Sequence, residues 1–224
     1  RFASGWRGFS LIWYKRLFQE PEIWRAAKNS LLIAAGATAV SLVIGTTAAI
    51  ALHRFARTRL QRFHFGLVYM PLVVPEILMG ISLLMLFVAA GVKLGLFTIF
   101  LAHVTFCISF VAMTVLARLQ DFDESIVEAA RDLGAGWWAT TRRVLLPMLL
   151  PGLIAGGLLA FTLSIDDFVI TFFVAGPGST TLPIRIYSMI KYGSPPLINA
   201  LSTILLVLTF AAVATSQRLS RTRH

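Results

Sequence analysis

The chain has 224 residues, 57% of them hydrophobic, and a mean hydropathy of +0.79. That lies beyond an ordinary soluble domain, and apolar runs able to cross a ~30 Å hydrocarbon core as helices describe an all-α, polytopic membrane protein. A net charge of +10 in a soluble protein points toward nucleic acid, but in a membrane protein basic residues mark cytoplasmic flanks, and no nucleic-acid partner is expected.

The single cysteine, Cys107, excludes an intrachain disulfide and a cysteine-built metal site. His53, His64, His103 and His224 are scattered without ligand spacing. His103, inside an apolar run, reads as a satisfied core histidine. No phosphate-binding loop (Gly, four residues, Gly-Lys-Ser/Thr) occurs, so any ATP must be hydrolysed on another chain. No cofactor is expected, and no nucleophile–base pair suggests an enzyme.

Residues 1–28 are amphipathic, with Trp13, Tyr14 and Trp24 among Arg7, Lys15, Arg16, Glu20 and Glu22. Trp and Tyr favour the membrane–water boundary, so this segment is expected to be external and interfacial. The chain opens on Arg1 without a recognisable signal peptide. Five spans are expected from there, at 31–52, 65–90, 94–117, 148–175 and 197–216. Small residues through the first (Gly36, Ala39, Ser41, Gly45, Ala48, Ala49) permit close helix contact. The transmembrane domain thus covers 29–217, followed by a basic tail, 218–224.

Basic residues alternate across these spans. Arg54, Arg57, Arg59 and Arg62 fall on one side, with Arg118, Arg131, Arg142 and Arg143 of the 118–147 loop and Arg218, Arg221 and Arg223 of the tail. The other side carries Lys93, Arg185 and Lys191. The positive-inside tendency makes the 118–147 loop and the C-terminus cytoplasmic and residues 1–28 external. Arg1, Arg7, Lys15, Arg16, Arg25 and Lys28 run against that rule. An upstream span that fixes orientation would explain them.

The 118–147 loop reads as a polar hairpin of two short helices. Ser125-Ile126-Val127-Glu128 has the form of a capping box, and Gly134 suits the left-handed residue that ends a helix. Ala135 to Arg143 forms the second segment, and Pro147 cannot continue the hydrogen-bond ladder smoothly. Glu124, Glu128 and Asp132 share one face; like charges at that spacing cost an isolated helix roughly 0.2–0.5 kcal/mol per pair, so a basic partner is implied.

Three carboxylates lie within spans: Glu76, Asp166 and Asp167. Each costs roughly 2.5–3.5 kcal/mol at mid-helix unless paired or hydrated. Glu76 follows Pro71 and Pro75, where the helix can bend. Asp166 and Asp167 point about 100° apart on a helix, so one is expected to line a pathway and the other to meet a neighbouring helix or water. The segments 65–90 and 148–175 hold no Lys or Arg, which suits a cation. Phe168, Phe172 and Phe173 stand ready for amines and methylenes. Trp13 and Tyr14 are candidates for an outer rim. Tyr187 and Tyr192 read as interface residues, and His103, Arg185 and Lys191 are the available counter-ions.

Glu128-Ala129-Ala130, then Gly134, then Val144, Leu146 and Pro147, resembles the EAA loop of ABC importer permeases, with Val144 where the pattern usually has Ile. The resemblance implies that Glu128, Ala129, Ala130, Gly134 and Pro147 form the contact with a separate ATPase. It also implies a type I importer bundle, usually of six spans, the missing one being the first. Leu163-Ser164-Ile165-Asp166-Asp167-Phe168-Val169, Gly176-Pro177-Gly178 and Leu182-Pro183-Ile184-Arg185-Ile186-Tyr187-Ser188-Met189 look like the spermidine/putrescine importers, in particular the second of their two permease subunits. The similarity runs from Trp6-Arg7-Gly8-Phe9 to Leu201-Ser202-Thr203-Ile204-Leu205-Leu206.

That implies alternating access in the bacterial inner membrane, with a dimer of ATPase subunits, a second, related permease and an external polyamine-binding protein docking near 1–28 and 176–196. Glu76, Asp166, Asp167 and Trp13 are then the expected substrate pathway. An importer of the same architecture for another small solute such as iron, or an ATP-independent cation channel or carrier, would share many of these features.

Overall fold

Helices account for the apolar segments of the computed structural model, which describes residues 11–55, 58–120, 123, 125–192, 196–204, 206, 207 and 210. The expectations resting on Trp6 to Phe9, Arg57, Glu124 and residues 211–224 fall outside the described residues. Two compact units divide the chain: Asn29–Thr180, and Arg1–Lys28 together with Thr181–His224.

The smaller unit begins with α1 (Ile12–Gln19), a short amphipathic helix that buries Leu17. Pro21 then opens α2 (Pro21–Arg54), where a missing N–H costs nothing, and Glu22 in the first turn complements the helix dipole. At 34 residues α2 is about 50 Å long, well beyond the expected 31–52 and beyond a bilayer core. Its turns up to Lys28 belong to the smaller unit. There Leu17 and Ile23 pack with Met189 and Leu201, the latter two from α10 (Leu182–Tyr192) and the helical stretch 196–204. Arg185 of α10 meets Glu22 at 2.6 Å and Glu20 at 3.4 Å.

The larger unit is arranged around α5 (Leu96–Gln120), which is apolar on every face and buried over most of its length. Glycines let its neighbours close in. A Cβ on Gly45 of α2 would stand 2.9 Å from the Val111 side chain. On α8 (Leu146–Asp166), Gly156 lies against Val111 Cα and Gly152 against the Arg118 side chain. Ser41 donates across to the Val104 carbonyl at 3.4 Å. Thr105, Thr114 and Thr162 donate to carbonyls one turn back at 2.7–2.8 Å, so these three hydroxyls are satisfied within their own helices.

The expected 65–90 span is two helices. Pro75 forces the residue before it out of the helical region, and Val74 is extended at φ −69°, ψ 127°. α3 (Arg59–Val73) therefore stops there, α4 (Glu76–Ala89) restarts, and the pair bends by 110°. Pro71 stays inside α3. The 148–175 span also differs. α6 (Ser125–Asp132) ends in a turn, after which α7 (Trp137–Thr140), a π turn (Thr141–Leu145) and α8 run on without interruption. The Leu146 N–H reaches back to the Thr141 carbonyl in the wider π register, which makes room for the Pro147 ring and its absent donor. The second half of the hairpin is thus the start of a 30-residue helix. That helix ends at Asp166, and α9 (Val169–Val174) follows after a break.

Among the described residues three helices are long and apolar enough to cross a membrane, and the bent α3–α4 pair makes a fourth if it counts as one span. The fifth expected span is helical at 196–204, 206, 207 and 210, and the rest of it falls outside the described residues. The surfaces of α3, α4 and α8 remain apolar and exposed at Val73, Met85 and Leu158, as suits lipid or another membrane chain.

Candidate functional site

Both helix breaks carry carboxylates. At the first, Glu76 is the opening residue of α4, so it sits at a helix start and not, as expected, near the middle of a span. The free N–H groups there favour a negative charge. Glu76 is exposed in the isolated chain. One turn on, Gly80 lies so close to α9 that a Cβ would stand 2.6 Å from the Phe173 ring.

At the second break the two aspartates part company. Asp166 ends α8 and is exposed. Asp167 is extended (φ −64°, ψ 124°), and its carboxylate turns inward with 6% of its side chain accessible. Its Oδ2 accepts from the Thr171 N–H at 2.8 Å and the Thr171 hydroxyl at 2.6 Å, and its Oδ1 accepts from the Ile170 N–H at 3.3 Å. Asp167 thereby caps α9. Among the described residues its ionisable partner is His103 of α5, with Nε2 3.3 Å away and 1% of the side chain accessible. The other ring nitrogen meets Ser164 Oγ at 2.6 Å. His103 is a satisfied buried histidine. Of the other two candidate counter-ions, Arg185 is engaged with Glu20 and Glu22 and Lys191 lies over the Tyr192 ring at 5.7 Å, both in the smaller unit.

The aromatic residues beside the pair split likewise. Phe172 is 55% exposed and lies 5.6 Å from Phe168, while Phe173 packs against Gly80. Trp13, in α1, is half-buried, and Arg16 covers its ring at 4.9 Å. That face of the ring already holds a cation of its own chain.

The loop after α9 is built for close passage. A Cβ on Gly176 would meet the Leu94 carbonyl oxygen, a backbone atom. Gly176-Pro177-Gly178-Ser179 forms a type II turn with Gly178 at φ 77°. The Ser179 hydroxyl accepts from the Gly176 N–H at 2.8 Å, and Thr98 donates to the Val174 carbonyl at 2.8 Å.

In the hairpin, Ser125 lies inside α6, and the cap is Asp123, whose Oδ1 accepts the Ser125 N–H at 3.0 Å. Hydrogen bonds from the Ser125 hydroxyl and amide hold the Asp123 carboxyl below its usual range. The far end matches a Schellman motif: Gly134 has φ 85°, its N–H reaches the Arg131 carbonyl at 2.8 Å, and the Ala135 N–H reaches Ala130 at 3.1 Å. Glu128, Ala129, Arg131 and Asp132 are exposed, with Ala130 partly so. Leu133, Trp137 and Trp138 are exposed to 89%, 60% and 65%. Charge patterning does not single out these apolar residues, although the Trp137-Trp138 pair after Gly136 is visible in the sequence. Pro147, the last of the motif, lies beyond the π turn in the first turn of α8. Among the described residues no cluster of His, Cys, Asp or Glu could hold a metal.

The profile of the family described as "binding-protein-dependent transport system inner membrane component" matches residues 41–221. The chain belongs to this family. It is a multi-pass inner-membrane permease subunit of an importer and not an enzyme. An ATPase, a second permease chain and a substrate-binding protein are its partners in general terms. The chain is 42% identical over 221 residues to the spermidine/putrescine transport system permease protein PotC of Escherichia coli K12, across 99% of this chain and 83% of the relative. It is 45% identical over 212 residues to the putrescine transport system permease protein PotI of the same strain, across 92% and 75%. In fold it resembles the inward-facing MetNI methionine ABC transporter, with TM-score 0.74 and 21% identity over 91% of this chain and 98% of that one. A bacterial ABC transporter for the acidic polysaccharide alginate aligns with TM-score 0.77 and 17% identity over 98% and 85%.

Proposed function

We propose that this chain is one of two permease subunits of a polyamine importer, and that the cation crosses the membrane over Glu76 and Asp166. The observation that carries the reading is the identity above 40%, over nearly the whole chain, to permeases named for spermidine and putrescine. Electrostatics adds independent support. Two exposed carboxylates stand at breaks in apolar helices, where a protonated amine replaces the water that would otherwise solvate them. Phe172 and Phe168 beside Asp166 offer π faces to an ammonium and apolar contact to a methylene chain. Asp167 contributes charge from behind, fixed by its hydrogen bonds. Trp13 belongs to the external segment and acts as an interface anchor before it acts as a rim.

Energy enters through α6 and the turn after it. Glu128, Ala129, Ala130 and Gly134 dock on the ATPase, with Leu133, Trp137 and Trp138 supplying apolar contact. Pro147 and the π turn ahead of it carry the motion into α8, because a locally wider turn is a natural place for a helix to flex. The 118–147 hairpin is cytoplasmic, since Arg118, Arg131, Arg142 and Arg143 surround it. The 1–28 and 176–196 segments face the polyamine-binding protein outside. The two-state element is the helix bundle, and ATP and the loaded binding protein each favour one of its states.

The test is uptake of labelled putrescine and spermidine into proteoliposomes by the full-length protein with its partner chains. Glu76→Gln with Asp166→Asn is expected to cut uptake by about tenfold or more while the complex still assembles. Normal uptake by that double variant would remove the pathway assignment. Wild-type complexes that hydrolyse ATP in response to another solute's binding protein, and move no polyamine, would remove the substrate.

A further inference from the structure

The break between α8 and α9 is held by one side chain from a third helix. His103 Nε2 lies 2.9 Å from Thr171 Oγ1 of α9, and Nδ1 lies 2.6 Å from Ser164 Oγ in the last turn of α8. The ring therefore touches both sides of the break, and it is itself fixed in α5, the most buried helix of the larger unit. Phe106 packs beside it with centroids 5.3 Å apart. All four polar groups of the network are closed off from solvent: His103, Ser164 and Thr171 are buried, and the Asp167 carboxylate is nearly so.

The protons can be placed by counting. Thr171 has one hydroxyl proton, and the 2.6 Å approach to Asp167 Oδ2 assigns it there. Thr171 Oγ1 must then accept, so His103 Nε2 carries a proton. Nδ1 is hydrogen-bonded to the Ser164 hydroxyl, which can serve as either donor or acceptor. Each group is satisfied, and Asp167 keeps its negative charge without facing the substrate. Asp166, one residue away, has no such restraint and is exposed. Its position is set by the peptide that joins it to Asp167.

We propose that His103 is a positioning residue for cation transport: through its Nε2–H and its Nδ1 it ties the end of α8 and the start of α9 to α5, and so fixes where Asp166 meets the substrate. This rests on the reading that a polyamine crosses at Asp166. His103 never touches the cation. It acts on affinity through geometry, because a carboxylate displaced by about 1 Å loses a short charge-assisted contact.

The test uses the complete transporter in proteoliposomes with putrescine as the probe. His103→Ala is expected to raise the KM of uptake about tenfold, with kcat changed less than about twofold. His103→Gln offers an amide N–H to Thr171 and is expected to recover most of the loss. Thr171→Val removes the hydroxyl that relays the bond and is expected to follow His103→Ala. A second readout needs no substrate. In a Cys107→Ala background, Asp166→Cys is labelled with a charged thiol reagent, and adding His103→Ala is expected to change the labelling rate several-fold. An unchanged KM, a loss confined to kcat, a failure of His103→Gln to recover, or an unaltered labelling rate would each overturn the proposal. If wild type carries no putrescine, the polyamine reading fails, and the labelling rate alone still decides whether His103 positions residue 166. If His103→Ala does not assemble, His103→Gln and Thr171→Val decide the matter in the same way.

Discussion

The larger unit interrupts two of its apolar helical stretches, and it does so by different chemistry. Between α3 and α4 the break is covalent in origin: Pro75 removes a donor and forces Val74 to be extended. The restarted helix is then located by apolar contact, Gly80 against Phe173. Between α8 and α9 no proline intervenes. The break is maintained by Asp167, which turns from the helix to cap α9 and meets His103. Both breaks present an exposed carboxylate, Glu76 in one and Asp166 in the other. One is placed by backbone and packing, the other by a buried polar network. A packed contact gives by small increments, whereas a hydrogen-bonded network is either made or unmade. The second break is therefore the more sensitive to a single substitution.

The largest expected effect comes from Asp167. Asp167→Ala strips the acceptor from two backbone N–H groups, the Thr171 hydroxyl and the nearby His103 at once. Removing one partner of such a buried pair costs about 3–5 kcal/mol. In a chain of this size that corresponds to a fall in melting temperature on the order of 10 °C. Asp166→Asn touches no such network and is expected to melt within a degree or two of wild type while losing uptake. Thermal melting of the purified complex compares the two. Equal losses of stability would erase the distinction between the aspartates.

Next in size is the packed break. Gly80→Ala places a methyl group 2.6 Å from the Phe173 ring, and overpacking of this kind costs about 1–3 kcal/mol. Phe173→Leu in the same chain is expected to relieve part of that loss, so the two substitutions combine non-additively in a double-mutant cycle. Strict additivity would mean that Gly80 is not what seats α4 on α9.

The two breaks were not equally legible in the sequence. Pro75 is a local signal and announces a bend, although the bend of 110° turns one expected span into two helices. The second break has no such mark. Leu163 to Val169 contains no Pro or Gly, and it reads as continuous helix until Asp167 finds Thr171 four residues later and His103 sixty-four positions earlier. Those are tertiary facts, and propensity does not carry them. The pair of aspartates could be expected to divide their duties, but which one turns inward depended on where His103 lay. The coupling hairpin was legible through Gly134 and the Glu-Ala-Ala pattern. Its cap was not: Ser125 has the right spacing to Glu128 for a capping box, yet Asp123 is the better acceptor and moves the helix start. The π turn before Pro147 was also unforeseen, because a missing donor can be absorbed by ending a helix or by widening it.

The smallest expected effect falls outside both breaks and bears on what they serve. Gly134 has φ 85° and no atom within 4 Å of a would-be Cβ. Gly134→Ala therefore introduces no clash, and its cost is that of a left-handed backbone, about 1–2 kcal/mol. Gly134→Asn tolerates that backbone better and is expected to cost less. The turn sets the angle at which Leu133, Trp137 and Trp138 follow α6. A strained turn is expected to weaken coupling more than folding: the stimulation of ATPase activity by loaded binding protein falls about two- to fivefold for Ala, with Asn in between, while melting temperature moves by a few degrees. If Ala and Asn reduce stimulation equally, the backbone is not the cause, and bulk at the docking surface is. If neither does, the hairpin's shape is not what transmits ATP binding to the two breaks.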